Sequence, residues 1–341
     1  MPISSVVSRV DFDNRCSRDD RSLTVTARRC EARVSRNAGR TGNWTTGVPE
    51  TTAPSRSRLG GVKLALVAML AGPGIGWASD FFFIQMSDPQ FGMNTADGEF
   101  SQETANFEFA IANANRLRPA FVVVCGDLIN KPGDAAQTAE YLRVAAKLDP
   151  SIKLYNVAGN HDVGNEPTPE TLERYRRRFG PDYYSFRYQD FAGIVIDSSL
   201  IQHPDKAPEQ AARQEQWLGS ELEKVKREGA RRIAVFQHIP WFLENVDEAD
   251  QYFNLPHEAR QMYLPLLEQY GVAYVFAGHY HRNSYADGRL LHIITSGPVG
   301  KPLGPDPSGI RVVMVKDSTM DSQYYGLGTI PNQVDMGARS R

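Results

Sequence analysis

From residue 79 onward, short runs of β-branched and aromatic residues alternate with longer stretches of helical periodicity, and this alternation points to a layered α/β architecture. The strand-like runs are Phe81 to Met86, Phe121 to Cys125, Leu154 to Ala158, Ile194 to Asp197, Ile233 to Gln237, Val272 to Ala277, Leu290 to Thr295 and Ile310 to Val315. Helical stretches fall between them, at about Gln102 to Arg116, Ala135 to Leu148, Thr171 to Phe179, Gln210 to Lys226 and Glu258 to Tyr270. Asp88, Asp127, Asn160, His238 and His279 each follow a strand-like run by a few residues. Open α/β sheets hold their ligands on loops at the carboxyl ends of strands, so one crevice can collect all five.

The chain has 341 residues, 41% of them hydrophobic and 10% aromatic, which is ample for a packed core. A formal charge of -2 and a pI near 6.4 give no electrostatic reason to expect nucleic acid, which is normally met by a strongly basic face. The charge is uneven: residues 1–62 hold eleven Arg, no Lys and six acids, so the remainder is more acidic than the total suggests. Of the Cys at 16, 30 and 125, only the last lies beyond residue 62, so no intramolecular disulfide braces the folded part. Cys125 sits inside a hydrophobic run, where a thiol acts as a small buried apolar group.

Residues 1–60 are rich in Arg, Ser, Thr, Asn and Gly without apolar periodicity, and are expected to be disordered, or to precede the true start of the protein near Val62. Arg58 and Lys63 then precede the apolar run Leu64 to Ala71, followed by Gly and Pro and by Gly76-Trp77-Ala78. These are the three regions of a secretory signal peptide, here residues 61–78, with cleavage expected after Ala78; an uncleaved anchor and a buried helix are the alternatives. The run is far shorter than the roughly 20 residues that span a bilayer, so no stable membrane span is expected once the signal is removed. A secreted or periplasmic location follows; if residues 64–71 are not a signal, the location is cytoplasmic. The folded domain is expected over residues 79–330, with 331–341 as a disordered tail.

Five short segments carry the chemistry: Ser87-Asp88-Pro89-Gln90, Gly126-Asp127-Leu128-Ile129-Asn130, Gly159-Asn160-His161-Asp162, Gln237-His238, and Gly278-His279-Tyr280-His281. Singly each has a bland reading: Asp-Pro and Gly-Asp form ordinary turns, Gly-Asn-His-Asp caps a helix, and a lone His is usually structural. Together they offer carboxylate and amide oxygens with imidazole nitrogens, a donor set suited to divalent ions from Mg and Mn to Fe and Zn. In dinuclear sites of this composition two metals about 4 Å apart clamp a phosphoryl group and generate the nucleophile. The glycines before Asp127, Asn160 and His279 suit turns that bring backbone close to the ions.

The ordered set Asp88, Gly126-Asp127, Gly159-Asn160-His161-Asp162, His238 and Gly278-His279-Tyr280-His281 resembles the calcineurin-like metallophosphoesterases. The likeness runs from about Phe81 to Gly326, and one branch of the family is resembled more closely still, in Asp88-Pro89-Gln90-Phe91-Gly92, Gln237-His238-Ile239-Pro240, Phe242-Leu243-Glu244 and Gly278-His279-Tyr280-His281-Arg282-Asn283. It implies a four-layer αββα sandwich with two divalent metal ions at the top of its two sheets. By that resemblance Asp88 and His281 bind the first metal, Asp127 bridges, and Asn160, His238 and His279 bind the second. His161 is implied as the general acid that protonates the leaving oxygen, held in orientation by Asp162. The implied reaction is hydrolysis of a phosphomonoester, with phosphoserine or phosphothreonine as candidate substrates, by attack of a metal-bound hydroxide. A small phosphorylated metabolite suits an extracytoplasmic location equally well.

Gln90 departs from the family pattern, standing where most members have a His ligand; its neutral amide oxygen is the weaker donor and favours Mg or Mn at the first site. Asn130 likewise replaces a frequent Asp and is expected beside the ligands. Arg282 and Asn283 are candidates for contact with phosphate. The aromatic residues Tyr183, Tyr184, Phe186 and Tyr188 alternate like a strand and read as core, while His203, His257 and His292 read as structural or exposed. Gly300 to Pro307 reads as a loop near the site. Two other functions share these residues: a phosphodiesterase acting on cyclic nucleotides, lipid head groups or nucleic acid, and a metal-binding interaction module weakened by Gln90.

Overall fold

Strands that are apolar at consecutive positions need cover on both faces. A computed structural model describes residues 79–317 and 319–337; the segments 1–60, 61–78 and 338–341 lie outside the described residues, and with them the signal-peptide expectation. In chain order the strands are β1 Phe81–Met86, β2 Phe121–Cys125, β3 Lys153–Val157, β4 Tyr184–Tyr188, β5 Phe191–Val195, β6 Arg232–Phe236, β7 Val272–Ala277, β8 Ser284–Asp287, β9 His292–Thr295, β10 Gly309–Lys316 and β11 Thr319–Gly326. The helices are α1 Ser101–Leu117, α2 Ala135–Ala145, α3 Asn160–Val163, α4 Pro169–Phe179, α5 Ser198–Gln202, α6 Pro208–Arg227 and α7 His257–Gln269.

The strands form a five-stranded sheet in the order β11-β10-β1-β2-β3 and a six-stranded sheet in the order β4-β5-β6-β7-β9-β8. Side chains along each central strand divide by the two-residue period between two layers. In β1 and β2, Ile84, Met86, Val122 and Val124 join Phe107 and Ile111 of α1, Tyr141 of α2 and Leu172 of α4 in an outer core. Their neighbours Phe81, Phe83, Phe121, Val123 and Cys125 face the other sheet and meet Phe191, Phe236 and Phe276. Ile194, Ile233, Val235 and Val275 point outward from the second sheet, against Leu218 and Leu222 of α6 and Leu264 and Leu267 of α7. The result is the expected αββα sandwich. Phe83 marks its centre, with ring centroids 4.9 Å from Phe121, 5.7 Å from Phe236 and 5.3 Å from Phe276.

Cys125 is buried in the inter-sheet layer, the apolar role expected of it, and Phe186 stacks on Tyr155 at 3.7 Å within the same layer. The sheets also contain strands that apolar periodicity did not mark. β8 and β11 read Ser-Tyr-Ala-Asp and Thr-Met-Asp-Ser-Gln-Tyr-Tyr-Gly, polar sequences that become strands because each lies antiparallel at a sheet edge, against β9 and β10. β5 ends at Val195, two residues short of the expected end, because Asp197 instead caps α5 and accepts hydrogen bonds from the Ser199 and Leu200 N–H groups at 3.0 and 3.2 Å. The expected C-terminal tail is in part a packed segment. Arg116 donates to the carbonyls of Pro331 and Asn332, and Val334 rests on the outer core of the first sheet. Among the described residues no helix is long and apolar enough to cross a membrane.

β1, β2 and β3 are parallel neighbours, as are β5, β6, β7 and β9. The carboxyl ends of the parallel strands in each sheet therefore share one edge, where the loops carrying the five polar segments emerge.

Candidate metal centre

Asp88 follows β1, Asp127 follows β2 and Asn160 opens α3 directly after β3, while His238 follows β6 and His279 and His281 follow β7. Ten described non-glycine residues have positive φ, and Asp88, Gln90, Asp127, His279 and His281 are half of them, at φ 48, 40, 50, 67 and 53. A side chain in this left-handed region carries a backbone cost of roughly 1–3 kcal/mol, which the surrounding structure must offset, and such residues cluster at functional sites. Two glycines make the convergence possible. Gly126 has φ +81 and a Cβ there would overlap the His238 ring, while a Cβ at Gly159 would overlap the Asp127 backbone and carboxylate.

Two clusters result. Asp127, His238 and His279 offer ligand atoms that all lie within 4.8 Å of one another, and so do Asp88, Asp127 and His281. Asp127 belongs to both. All of these residues are buried. His238 Nε2 lies 3.3 Å from Asp127 Oδ1 and 3.0 Å from Asn160 Oδ1, while His281 Nε2 lies 3.3 Å from Asp88 Oδ1. Each histidine has its other nitrogen tied to a main-chain carbonyl: His238 Nδ1 to Cys125 at 2.9 Å, His279 Nε2 to Tyr252 at 2.8 Å, and His281 Nδ1 to Lys301 at 2.6 Å. Such partners set which nitrogen is left facing the cluster. The Asn160 amide is oriented in the same way, its Nδ2 donating to Asn165 Oδ1 at 2.7 Å and lying 3.3 Å from the Tyr252 hydroxyl, so that Oδ1 faces inward.

The electrostatics match a cation site. Burial works against ionisation of Asp127, yet the neighbouring imidazoles of His238, His161 and His279 hold its carboxyl well below the usual range. His238 is raised to about 10, because the Asp127 and Asp88 carboxylates outweigh a burial that alone would lower it. His279 is lowered to about 4 by burial and by the charge on His238. The carboxylates thus concentrate negative potential at the point where the two clusters meet.

A family model described as calcineurin-like phosphoesterase matches residues 83–283. Over 267 residues the chain is 39% identical to the serine/threonine-protein phosphatase CPPED1 of Homo sapiens, across 74% of this chain and 85% of that one. The chain belongs to the calcineurin-like phosphoesterase family. Its likeness to the CPPED1 of Danio rerio is 36% over 266 residues, 74% of this chain and 86% of that one. A solved structure of a dimetal phosphatase from Danio rerio shares the phosphoesterase fold, with a TM-score of 0.55 at 20% identity over 72% of this chain and 96% of that one. The purple acid phosphatase PPD1 of yellow lupin does so with a TM-score of 0.56 at 14% identity, over 74% and 52% respectively.

This phosphoesterase is a metal-dependent hydrolase of phosphorylated substrates, and its own residues fit a divalent ion. Besides the clustered carboxylate and imidazole donors, Gln90 Oε1 is buried without a hydrogen-bond partner while its Nε2 donates to Asn130 Oδ1 at 3.2 Å. A buried acceptor left unpaired is costly unless something positive meets it.

One expected contact changes. Asp162 does not hold the His161 ring: its carboxylate accepts from the N–H groups of Leu128 at 3.0 Å, Ile129 at 3.1 Å and Gly159 at 2.9 Å, fastening the Asp127 loop to α3. Successive side chains on a helix point about 100° apart, so Asp162 turns inward where His161 turns out. The His161 ring is instead held by the Asn130 carbonyl, 2.6 Å from its Nδ1, and the His161 N–H donates to Asp127 Oδ1 at 2.9 Å. The oxygen of Asn283, a residue expected near phosphate, is engaged elsewhere: Oδ1 accepts from Arg311 at 2.6 Å and from the Gly297 N–H at 3.2 Å. Arg282 lies over the Tyr280 ring and donates to the Leu303 carbonyl at 2.8 Å, and the Asn130 side chain donates to Asp97 at 2.8 Å. The 300–307 loop does border the site, through Lys301 and through the Gly300 N–H, which donates to the Asp88 carbonyl at 3.0 Å.

Sequence reasoning did not single out Asn165, Tyr252 or Arg311. The first two lie in irregular loops without a motif. Arg311 stands inside an apolar strand, and a charge interrupting such a run was the one signal available for it.

Proposed function

We propose that the chain is a two-metal phosphomonoesterase, with Asp88, Gln90 and His281 holding the first divalent ion, Asn160, His238 and His279 the second, and Asp127 both. The observation that carries this reading is the sharing of Asp127 between two buried ligand clusters. Mg or Mn suits the first site, because the amide of Gln90 takes the place of an imidazole; Mn, Fe or Zn suits the nitrogen-rich second. When bound, such a pair polarises the phosphoryl group and supplies a nucleophile at neutral pH. His161 stands at the rim of the same carboxylate. With Nδ1 held by the Asn130 carbonyl, its Nε2 is free to hand a proton to the leaving oxygen. Asp162 keeps that arrangement in register by joining the Asp127 loop to α3.

The name of the relative supports phosphoserine and phosphothreonine as the substrate class. Their alkoxide leaving groups need a proton far more than an aryl oxide does, which suits a chain that keeps a histidine at this position. The test is turnover of phosphoserine peptides and of mono- and bis-aryl phosphates by the full chain, with Mn and after chelation. Expected are activity abolished by chelation and restored by Mn, and a monoester rate at least about tenfold above the diester rate, a transition-state preference of roughly 1.4 kcal/mol. A faster diester reaction would replace this reading with that of a phosphodiesterase.

We further propose that the enzyme domain spans residues 79–330 and is exported behind the segment 61–78. Support comes from the apolar run and small residues of that segment, and exported protein beginning near Ser79 is the expected outcome of N-terminal sequencing.

A further inference from the structure

The segment between β6 and α7 has no regular secondary structure from Ile239 to Pro256, yet it is tightly built. Arg260, buried on the first turn of α7, donates to the carbonyls of Leu255 at 2.9 Å, Val246 at 2.7 Å and Glu248 at 2.8 Å, and to Asp250 Oδ1 at 2.8 Å. The Glu248 carboxylate accepts from the N–H groups of Leu243 at 2.9 Å and Glu244 at 2.8 Å, and buried Asn254 closes the turn by donating to Glu248 at 2.6 Å. Long loops without secondary structure in compact domains are usually functional or disordered, and this one is ordered from within.

What this frame presents is Tyr252. Its side chain is 54% exposed, so packing does not require an aromatic residue there. Its carbonyl accepts from His279 Nε2 at 2.8 Å, its hydroxyl lies 3.3 Å from Asn160 Nδ2, and its ring lies 4.8 Å from that of His279. One residue thus touches two of the proposed ligands of the second ion while leaving an aromatic face open beside them.

We propose that Tyr252 positions Asn160 and His279, and that its exposed ring is the wall against which the leaving group of the substrate lies. The enzyme then favours phosphate esters whose leaving group carries a flat or apolar surface, an aryl ring or the apolar flank of a phosphoserine peptide, over small polar ones. This rests on the phosphomonoesterase reading above. The hydroxyl gives the Asn160 amide a second acceptor besides Asn165, which keeps the oxygen rather than the nitrogen turned toward the ion. The main-chain carbonyl fixes the His279 tautomer whatever side chain stands at 252, so substitutions separate the contributions of hydroxyl and ring.

The test uses the full chain with Tyr252→Phe and Tyr252→Ala, measuring Mn affinity of the chelated protein by calorimetry, and kinetics on 4-nitrophenyl phosphate and glycerol phosphate. Tyr252→Ala is expected to raise KM for the aryl ester about tenfold, the size of one aromatic contact, and KM for glycerol phosphate less than about twofold. Tyr252→Phe is expected to keep the aryl preference while weakening Mn binding about threefold, as the loss of one hydrogen bond orienting a ligand would. Equal KM changes for both esters, or Mn binding by Tyr252→Phe equal to wild type, would overturn the proposal. Should the wild-type chain hydrolyse neither ester, the function assigned above falls, and the Mn titrations still decide whether Tyr252 positions the ligands.

Discussion

The first sheet brings oxygen to the site and the second brings nitrogen: Asp88, Asp127 and Asn160 follow β1, β2 and β3, whereas His238, His279 and His281 follow β6 and β7. The two halves are also held differently. Left-handed backbone serves both halves, at φ 48, 40 and 50 in Asp88, Gln90 and Asp127 and at 67 and 53 in His279 and His281. The difference is that on the second sheet each imidazole is also aimed by a main-chain carbonyl at the nitrogen turned away from the cluster. A carboxylate offers equivalent oxygens and needs only to arrive, whereas an imidazole must arrive with the right nitrogen bare. Neither sheet holds a complete cluster, so the site exists only when the two sheets pack.

The sharpest way to break this division is Asp127→Asn, which keeps the shape of the one donor common to both clusters and removes its charge. Loss of kcat/KM by about 10³-fold or more is expected, with a fall in bound Mn measured by elemental analysis. Retention of activity within tenfold would mean that the shared carboxylate is not the hub. Next in size is His161→Ala, a change on the oxygen-bearing side that removes the proposed proton donor rather than a proposed ligand. It should lower kcat by about 10²-fold on an alkyl phosphate and less on an aryl phosphate, at nearly constant Mn content; equal losses on the two esters would argue against protonation of the leaving group.

Gln90→His sharpens the comparison by placing a nitrogen donor on the oxygen side, at a left-handed position that His tolerates better than most residues. Affinity for Mn, followed by calorimetry, should rise about tenfold. An unchanged affinity would show that the unpaired Gln90 amide oxygen has no part in binding. The smallest effect on the site itself is expected from Asp197→Asn, which concerns a buried acid on the nitrogen-bearing sheet. Burial and the nearby Asp182 raise the Asp197 carboxyl from 3.8 to about 8, and its Oδ2 has no hydrogen-bond partner. Between those pH values the folded chain retains a proton that the unfolded chain has released. Its contribution to stability is therefore complete below about pH 4 and is lost as the pH rises through 8, at most about 1.4 kcal/mol per pH unit. Asn keeps the cap of α5 and should flatten that decline in urea unfolding at about pH 5 and pH 8, with metal content and turnover unaltered; a parallel decline in both proteins would count against it.

Much of this was legible in residue order. The expected strands β1, β2 and β7 begin and end where the structure has them, because each is an apolar run bounded by polar residues, glycine or, before β2, Pro119-Ala120. The six main ligand candidates stand at strand ends, and the structure gathers them. Less legible was anything that depends on the direction of a side chain. Asp162 was expected beside the His161 ring and instead binds three backbone N–H groups, and the oxygen of Asn283 is taken up by Arg311. β8 and β11 were missed because an edge strand owes its conformation to the partner it pairs with rather than to its own apolar content.

Which side chains this protein can offer to an ion, and at which strand ends, was decided by its amino-acid order alone, since strand period and turn chemistry are local properties. Which nitrogen of each histidine faces inward, and that Tyr252 stands beside Asn160 and His279, was decided only by tertiary structure. Those choices are made by hydrogen bonds to main-chain carbonyls 20 to 113 residues away. A carbonyl is the same in every residue, so its position becomes information only once the loops and the two sheets are packed.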